Sequence, residues 1–273
     1  IMGALQSKAD FLAWGWRLPF LLSGILVAIG WWVRARVEES PAFVAIAQGQ
    51  KRSPAPGIEV LRTRLGGIAI GAGLRFGENV SFYILTALSL TYATEVAGLS
   101  RASALNAVLA GAAAECVTLP LFSALSDRIG RRPVYAAGAI GMAAWAFAFF
   151  PLATRGDGTG AMLAVVVGLV LHGAMYGPQA AFISELFPTR LRYSGASIAY
   201  QLTSIFAGSL APIVALALLH ATGSTIPISI YVAATCAVSA VSALIARETG
   251  GASLAAIDAL TPERSISTKP REG

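Results

Sequence analysis

Long runs of apolar residues, separated by short polar segments, dominate the sequence. A run of about 20 apolar residues has the length that an α-helix needs to cross the hydrocarbon core of a bilayer. The sequence predicts seven such helices, over residues 16–33, 66–91, 104–125, 134–153, 161–183, 195–219 and 227–246. Membrane β-strands would instead show alternating segments of about ten residues. The pattern therefore predicts an all-α, polytopic membrane protein.

The composition agrees with this prediction. Of 273 residues, 56% are hydrophobic and 12% are charged, whereas a soluble domain has about 25% charged residues. The predicted spans contain only four charged residues, namely Arg17, Arg75, Glu78 and Glu115. Soluble enzymes, disordered chains and disulfide-stabilised scaffolds are excluded on these grounds.

Lys and Arg residues are distributed unevenly between alternate polar segments. Residues 34–65, 126–133, 184–194 and 247–273 carry fifteen of them, and the segments on the opposite side carry three. Because positive charge is retained on the cytoplasmic side of a membrane, we expect the C-terminus to be cytoplasmic and Ile1 to be outside. This asymmetry also accounts for the net charge of +6 without a nucleic-acid partner.

The polar segments divide the chain into four parts. The segment 34–65 contains prolines and charges, and it predicts a cytoplasmic linker between two membrane halves. Residues 1–33 would then hold the last helix of the first half, 66–246 a six-helix bundle, and 247–273 a polar, mobile cytoplasmic tail. The sequence begins at Ile1 and shows no signal peptide, so we expect it to be part of a longer protein.

Several short motifs resemble those of major facilitator superfamily carriers, in particular the metabolite:proton symporter family and its shikimate-transporter-like subgroup. They are residues 14–21 (WGWRLPFL), 34–43 (RARVEESPAF), 126–133 (SDRIGRRP), 176–182 (YGPQAAF), 185–190 (ELFPTR) and 192–197 (RYSGAS). The resemblance implies that the spans are helices six to twelve of a twelve-helix carrier, with the first five helices missing. It also implies proton-coupled symport of a small organic acid or zwitterion across the inner (plasma) membrane by alternating access. An alternative is a truncated fragment without transport activity of its own.

Polar residues in the second predicted span are candidates for substrate binding. Arg75, Glu78, Asn79 and Tyr83 recur at spacings of three and four, which places them on one side of a helix. A planar guanidinium at Arg75 could bind a carboxylate of the substrate, or it could simply pair with Glu78 in the same helix. Further candidate substrate contacts in other spans are Tyr176, Gln179, Tyr200 and Gln201.

Three ionisable residues near the middle of spans are candidates for proton coupling: Glu78, Glu115 and His172. A carboxylate buried in lipid or protein tends to take up a proton, which suits Glu115 to carrying one. An ion pair between Glu115 and Arg75 explains the same position equally well. His172 could relay protons, or it could satisfy a neighbouring backbone or hydroxyl group.

The basic turn at residues 126–133 has two interpretations. Asp127, Arg128, Arg131 and Arg132 follow the end of a span, where the three arginine cations would fix the topology. The family resemblance implies in addition a salt-bridge gate that closes the cytoplasmic side of the carrier.

Signals for other functions are weak. Cys116 and Cys236 lie in apolar runs and are expected to be buried thiols, and the two histidines are far apart in sequence, so no metal site is predicted. No nucleotide-binding glycine motif is complete. We therefore expect no cofactor and no enzymatic activity, and the expected partners are a metabolite, protons, the bilayer and the missing helices.

Overall fold

The computed structural model describes residues 7–36, 55–155 and 158–260, and the regular elements in these ranges are all helical. The α-helices are α1 (Lys8–Ala13), α2 (Leu18–Arg36), α3 (Pro56–Thr63), α4 (Leu65–Tyr83), α5 (Ser89–Glu95), α6 (Arg101–Ile129), α7 (Arg131–Ala153), α8 (Gly158–Ser184), α9 (Arg192–Thr203), α10 (Ala211–Thr222), α11 (Ile226–Ile245) and α12 (Leu254–Leu260). A 3₁₀ turn lies at Gly15–Arg17, and π-helical segments lie at Ile84–Leu88 and Ser204–Gly208. The predicted all-α fold is confirmed.

The chain forms two units, of which the first is Ile1–Arg52. Ser7 caps α1 by accepting a hydrogen bond from the backbone N–H of Asp10 at 3.1 Å. Helix α2 has 19 residues, which gives it a length of about 29 Å, close to the thickness of the hydrocarbon core. Its apolar side chains are exposed, as suits a helix that faces lipid.

The second unit, Ser53–Gly273, is a helical bundle organised around α8. Helix α8 packs against α6, α7 and α4, while α11 packs against α7 and α4, and α9 packs against α4. The largest fully buried side chains include Tyr135, Phe150, Phe182, Phe187, Leu169 and Met175. Because α8 touches both α4 and α6, side chains on α8 can bridge polar groups of those two helices.

Glycine allows α4 and α11 to pack closely. A Cβ atom at Gly77 would lie 2.6 Å from the Cα atom of Cys236, so no larger residue fits without moving a backbone. At Gly73, one turn earlier, a Cβ atom would lie 3.1 Å from the Cβ atom of Ser242. Such spacing of small residues is typical of close helix packing in membranes.

Six helices among the described residues are long and apolar enough to cross a membrane: Gly15–Arg36, Arg101–Ile129, Arg131–Ala153, Gly158–Ser184, Arg192–Thr222 and Ile226–Ile245. They correspond to six of the seven predicted spans. The remaining one, predicted at 66–91, is also helical from Leu65 to Glu95, through α4, a π-helical segment and α5. It is less apolar than the others because it carries Arg75, Glu78 and Asn79.

Irregular backbone interrupts two of the predicted spans. The π-helical segments at Ile84–Leu88 and Ser204–Gly208 each insert an extra residue into a helical turn, and such segments are frequent at functional sites. Pro178 lies inside α8. Pro212 stands in the first turn of α10, where a missing N–H is tolerated.

Residues 55–65 of the polar linker and residues 247–260 of the tail fold against the bundle. Glu59 of α3 forms an ion pair with Arg190. In the tail, Ile257 is buried and Asp258 accepts a hydrogen bond from the backbone N–H of Thr189 at 2.7 Å. Residues 247–260 are therefore held in place, unlike the mobile tail that the composition predicts. The centre of the linker, 37–54, and the end of the tail, 261–273, lie outside the described residues.

Candidate functional site

A cluster of buried polar side chains occupies the interior of the bundle. Helix α4 contributes Arg75 and Glu78, α6 contributes Glu115, and α8 contributes His172 and Gln179. Glu78, Glu115 and His172 are 3%, 8% and 1% exposed. Ionisable groups at such depth in a membrane protein are costly and usually functional. We call these five residues the polar cluster.

His172 lies between two carboxylates. Its Nδ1 atom is 2.5 Å from Oε1 of Glu115, and its Nε2 atom is 3.0 Å from Oε1 of Glu78. Helix α8, which carries His172, packs against both α6 and α4. The imidazole ring therefore lies between Glu115 of α6 and Glu78 of α4. His172 thus links α4, α6 and α8 through its imidazole ring.

Glu78 connects His172 to Arg75. Its second oxygen, Oε2, accepts a hydrogen bond from Nε2 of Gln179 at 3.1 Å and pairs with Nη1 of Arg75 at 3.3 Å. The Gln179 amide also donates to the hydroxyl of Tyr135 at 3.2 Å, while its Oε1 accepts from Nη1 of Arg75 at 3.1 Å. Gln179, which is fully buried, therefore holds both members of the ion pair.

The guanidinium of Arg75 also contacts α9 and the π-helical segment after it. Its Nη2 donates to Oγ of Ser204 at 3.3 Å, and its Cζ lies 4.3 Å from the centre of the Tyr200 ring. The Nε atom of Arg75 is buried and has no hydrogen-bond partner. Arg75 is thus paired on one edge and retains an unused donor.

The structure decides between the alternatives for pairing. The ion pair between Arg75 and Glu78 in one helix is present. Glu115 pairs with His172 and not with Arg75, so the alternative pairing of Glu115 with Arg75 is wrong for this conformation. The physical reason is that α8 lies against both α4 and α6 and its imidazole intervenes. The role of Glu115 in carrying protons stays a prediction.

Aromatic side chains lie beside the cluster. Tyr176 stacks on His172 with ring centres 5.5 Å apart, and Phe82 lies 5.4 Å from the same ring. Tyr83 contacts Phe82 edge to face, and all three aromatic rings are partly exposed. Asn79 is buried, and its Oδ1 atom has no hydrogen-bond partner.

Gln201 is exposed, and no side-chain hydrogen bond joins it to the polar cluster in the part of the chain that is described. Its role in substrate binding stays a prediction. Tyr135 and Ser204 belong to the site although the sequence did not single them out. A signal for Ser204 exists, since it lies one turn after Tyr200.

A second polar network surrounds the turn between α6 and α7. Asp127 pairs with Arg131 at 2.5 Å, and Arg131 also pairs with Glu185 at 3.4 Å. Gly130 makes the turn with a φ angle of 106°, which only glycine adopts readily. Arg128 is exposed, with no side-chain partner in the described ranges, and Arg132 donates to the backbone carbonyl of Leu244.

Glu248, in the segment after α11, caps the N-terminus of α7. Its carboxylate accepts hydrogen bonds from the backbone N–H groups of Arg131 at 2.7 Å and Arg132 at 2.9 Å. Burial raises the pKa of Glu248, but the N–H groups of Gly250, Arg132, Arg131 and Thr249 outweigh it, and the pKa lies below its ordinary value. Thr249 in turn donates to Glu185 at 2.5 Å. Sequence reasoning missed Glu185, Glu248 and Thr249.

Known proteins show clear similarity to this chain. Residues 9–212 and 74–263 match the sequence model of the Major Facilitator Superfamily. The shikimate transporter of Escherichia coli K12 is 34% identical over 91% of this chain and 58% of its own length. An inner membrane metabolite transport protein of the same organism is 32% identical over 93% of this chain and 59% of its own length.

A more distant relative is the citrate-proton symporter of Klebsiella pneumoniae, which is 28% identical over 81% of this chain and 50% of its own length. The chain thus spans only about half to three fifths of the length of these relatives. The matched family and the names of these relatives are those of membrane transporters and not of enzymes.

Proposed function

This chain belongs to the Major Facilitator Superfamily, and we propose that it forms part of a secondary transporter that couples protons to the uptake of a small organic acid or zwitterion. Carriers of this kind bind their substrate near the middle of the membrane and expose the site to each side in turn. The proposal places the protein in the inner (plasma) membrane, with its C-terminus in the cytoplasm.

The largely buried side chain of Arg75, which is 14% exposed, is the observation that carries this proposal. An arginine in the membrane interior is strongly unfavourable unless it is paired with an anion or binds a substrate. Arg75 is paired by Glu78 and supported by Gln179, yet its Nε donor is unused. A carboxylate of the substrate could bind the planar fork in the same bidentate way as in other arginine–carboxylate pairs.

Neighbouring groups fit the rest of an organic acid or zwitterion. The Oδ1 atom of Asn79 is an unpaired acceptor, which could receive a hydroxyl or ammonium proton. The aromatic rings of Phe82, Tyr83 and Tyr176 are partly exposed and could cover an apolar or cationic part of the substrate. The names of the relatives, which refer to shikimate and to citrate with protons, support a carboxylate substrate.

Proton coupling is assigned to the other members of the polar cluster. Glu78, Glu115 and His172 form the proton-coupling group, and Glu78 shares its carboxylate between His172 and Arg75. An anion that binds Arg75 therefore alters the electrostatic environment of Glu78 and, through Glu78, that of the imidazole. This connection is what coupling of substrate and proton requires.

The turn network would act as the cytoplasmic gate. The ion pairs of Arg131 with Asp127 and Glu185 join the α6–α7 turn to the end of α8, and Glu248 attaches the segment after α11. Breaking these contacts would let the cytoplasmic ends of the helices separate. Arg128 is exposed and would contribute to topology alone.

Uptake by right-side-out membrane vesicles, from cells that express the complete reading frame, tests the proposal. Radiolabelled shikimate, citrate and a set of zwitterions are offered with an imposed pH gradient, acid outside. We expect accumulation that a protonophore abolishes. In Arg75→Ala, uptake should fall about 10- to 150-fold, because a hydrogen bond to a charged group contributes about 1.5–3 kcal/mol.

The matched control is Arg101→Ala, at the exposed start of α6, which should change uptake by less than about twofold. Both variants must insert into the membrane at equal levels. Uptake that ignores the pH gradient, or an Arg75→Ala variant that transports like the wild type, would contradict the proposed function.

A further inference from the structure

The hydrogen bonding of His172 specifies how many protons the polar cluster holds. A neutral imidazole has one N–H donor and one nitrogen lone pair. Both nitrogens of His172, however, lie within hydrogen-bond distance of carboxylate oxygens, at 2.5 Å from Glu115 and 3.0 Å from Glu78. If both glutamates were ionised and the ring neutral, a nitrogen lone pair would face carboxylate lone pairs. One additional proton removes this conflict.

The balance of buried charges also indicates one additional proton. Arg75 carries one positive charge, and Glu78 and Glu115 carry one negative charge each when ionised, so a neutral His172 would leave a net negative charge in the bundle. Isolated buried charges are costly. The nearby titratable groups on the surrounding helices cannot supply the balance, because phenols and thiols are normally uncharged at pH 7. They are Tyr135, Tyr176, Tyr200 and Cys236.

We propose that the empty site stores one proton on His172, which is an imidazolium held between the carboxylates of Glu78 and Glu115. The inference rests on the proposed function and goes further, since it assigns the proton to one residue and makes the two glutamates positioning residues. Imidazole holds this proton in preference to a carboxylic acid at Glu115 because, in water, imidazole is the stronger base by about two pKa units.

Glu78 connects the stored proton to the anion site. Its Oε1 faces His172, while its Oε2 faces Arg75 and Gln179. A substrate carboxylate that binds Arg75 competes with Oε2 and frees negative charge beside the imidazolium, so the ring holds its proton more tightly. By thermodynamic reciprocity, the proton strengthens substrate binding to the same extent.

Nitrogen-15 NMR of histidine-labelled protein in lipid bilayers, without substrate at pH 7.5, tests this assignment. The signal that is lost in His172→Gln and kept in His220→Gln belongs to His172. We expect both ring nitrogens to be protonated, whereas an ordinary histidine in water is only about one tenth charged at this pH. A neutral ring with one unprotonated nitrogen would overturn the inference.

The Glu115→Gln variant supplies a second measurement. It removes one of the two carboxylates, and we expect the ring of His172 to become neutral, with its remaining proton on the nitrogen that faces Glu78. Glu95→Gln, an exposed residue at the end of α5, is the matched control and should leave both nitrogens protonated. If His172 stays fully protonated in Glu115→Gln, the carboxylate of Glu115 does not stabilise the imidazolium and the inference fails.

The outcome is separable from that of the transport assay. A doubly protonated ring in a protein without gradient-driven uptake would overturn the proposed function and leave this inference standing. Gradient-driven uptake with a neutral ring at His172 would overturn this inference alone.

Discussion

Removing the charge of Glu78 should leave Arg75 as an uncompensated buried cation. The side chains of Arg75 and Glu78 are 14% and 4% exposed, so solvent screens this pair little. Breaking one partner of a buried ion pair costs about 3–5 kcal/mol. We expect a value of about 3 kcal/mol for Glu78→Gln, at the lower end of that range, because Gln179 and Ser204 still accept hydrogen bonds from Arg75.

A double-mutant cycle isolates the electrostatic part of this loss. Arg75→Gln should also be destabilising, since it leaves Glu78 without its cation. The double variant Arg75→Gln/Glu78→Gln removes both charges together, so its loss of unfolding free energy should be smaller than the sum of the two single losses by about 1–3 kcal/mol. Reversible unfolding in mixed micelles with increasing SDS, followed by circular dichroism, gives the three values.

The exposed variant Glu95→Gln controls for the substitution itself and should change the free energy of unfolding by less than about 0.5 kcal/mol. Strict additivity in the cycle would refute the reasoning, because it would mean that Arg75 and Glu78 do not stabilise each other inside the bundle.

Two further predictions concern parts of the bundle outside the polar cluster. Glu248→Ala should lower the free energy of unfolding by about 0.5–2 kcal/mol, because the first N–H groups of α7 lose their acceptor. The pKa of Glu248 is lowered in the folded state, so this contribution is present above the unfolded value of about 4.3 and is lost as the pH falls through the folded value. A variant that loses as much stability at pH 3 as at pH 7 would contradict that assignment. Gly77→Ala should destabilise the bundle by about 1–3 kcal/mol, since its Cβ would meet the backbone of α11. Gly66→Ala in the same helix meets nothing within 4 Å and should be neutral or slightly stabilising in the same unfolding assay.

The sequence predicts the helices well because hydrophobicity determines them directly. Apolar runs locate all seven helical spans. The interruptions of the helices are harder to predict from the sequence. The π-helical segment Ile84–Leu88 is continuous with its neighbours in composition, and nothing in its residues distinguishes it from an ordinary helix.

The polar cluster could be predicted in its membership but only partly in its contacts. Spacing along one helix pairs Arg75 with Glu78, and this pair is present. The partner of Glu115 depends on which helix lies next to α6 and at what depth, and hydropathy contains neither fact. His172 becomes that partner only because α8 packs between α4 and α6.

The network at the α6–α7 turn shows the same limit at longer range. Asp127 and Arg131 are four residues apart, so their pairing is visible from sequence. Glu248 is more than a hundred residues away from the N–H groups that it caps. The polar composition of its surroundings predicts a mobile tail, whereas its hydrogen bonds hold the segment in place.

Separating exchange from accumulation tests the central claim most directly, namely that the polar cluster couples protons to transport. Vesicles with Glu115→Gln, beside the Glu95→Gln control, are assayed for substrate exchange without a gradient and for accumulation driven by a pH gradient. The account predicts that Glu115→Gln retains exchange but loses accumulation, while the control retains both. Accumulation at the wild-type level in Glu115→Gln would contradict it.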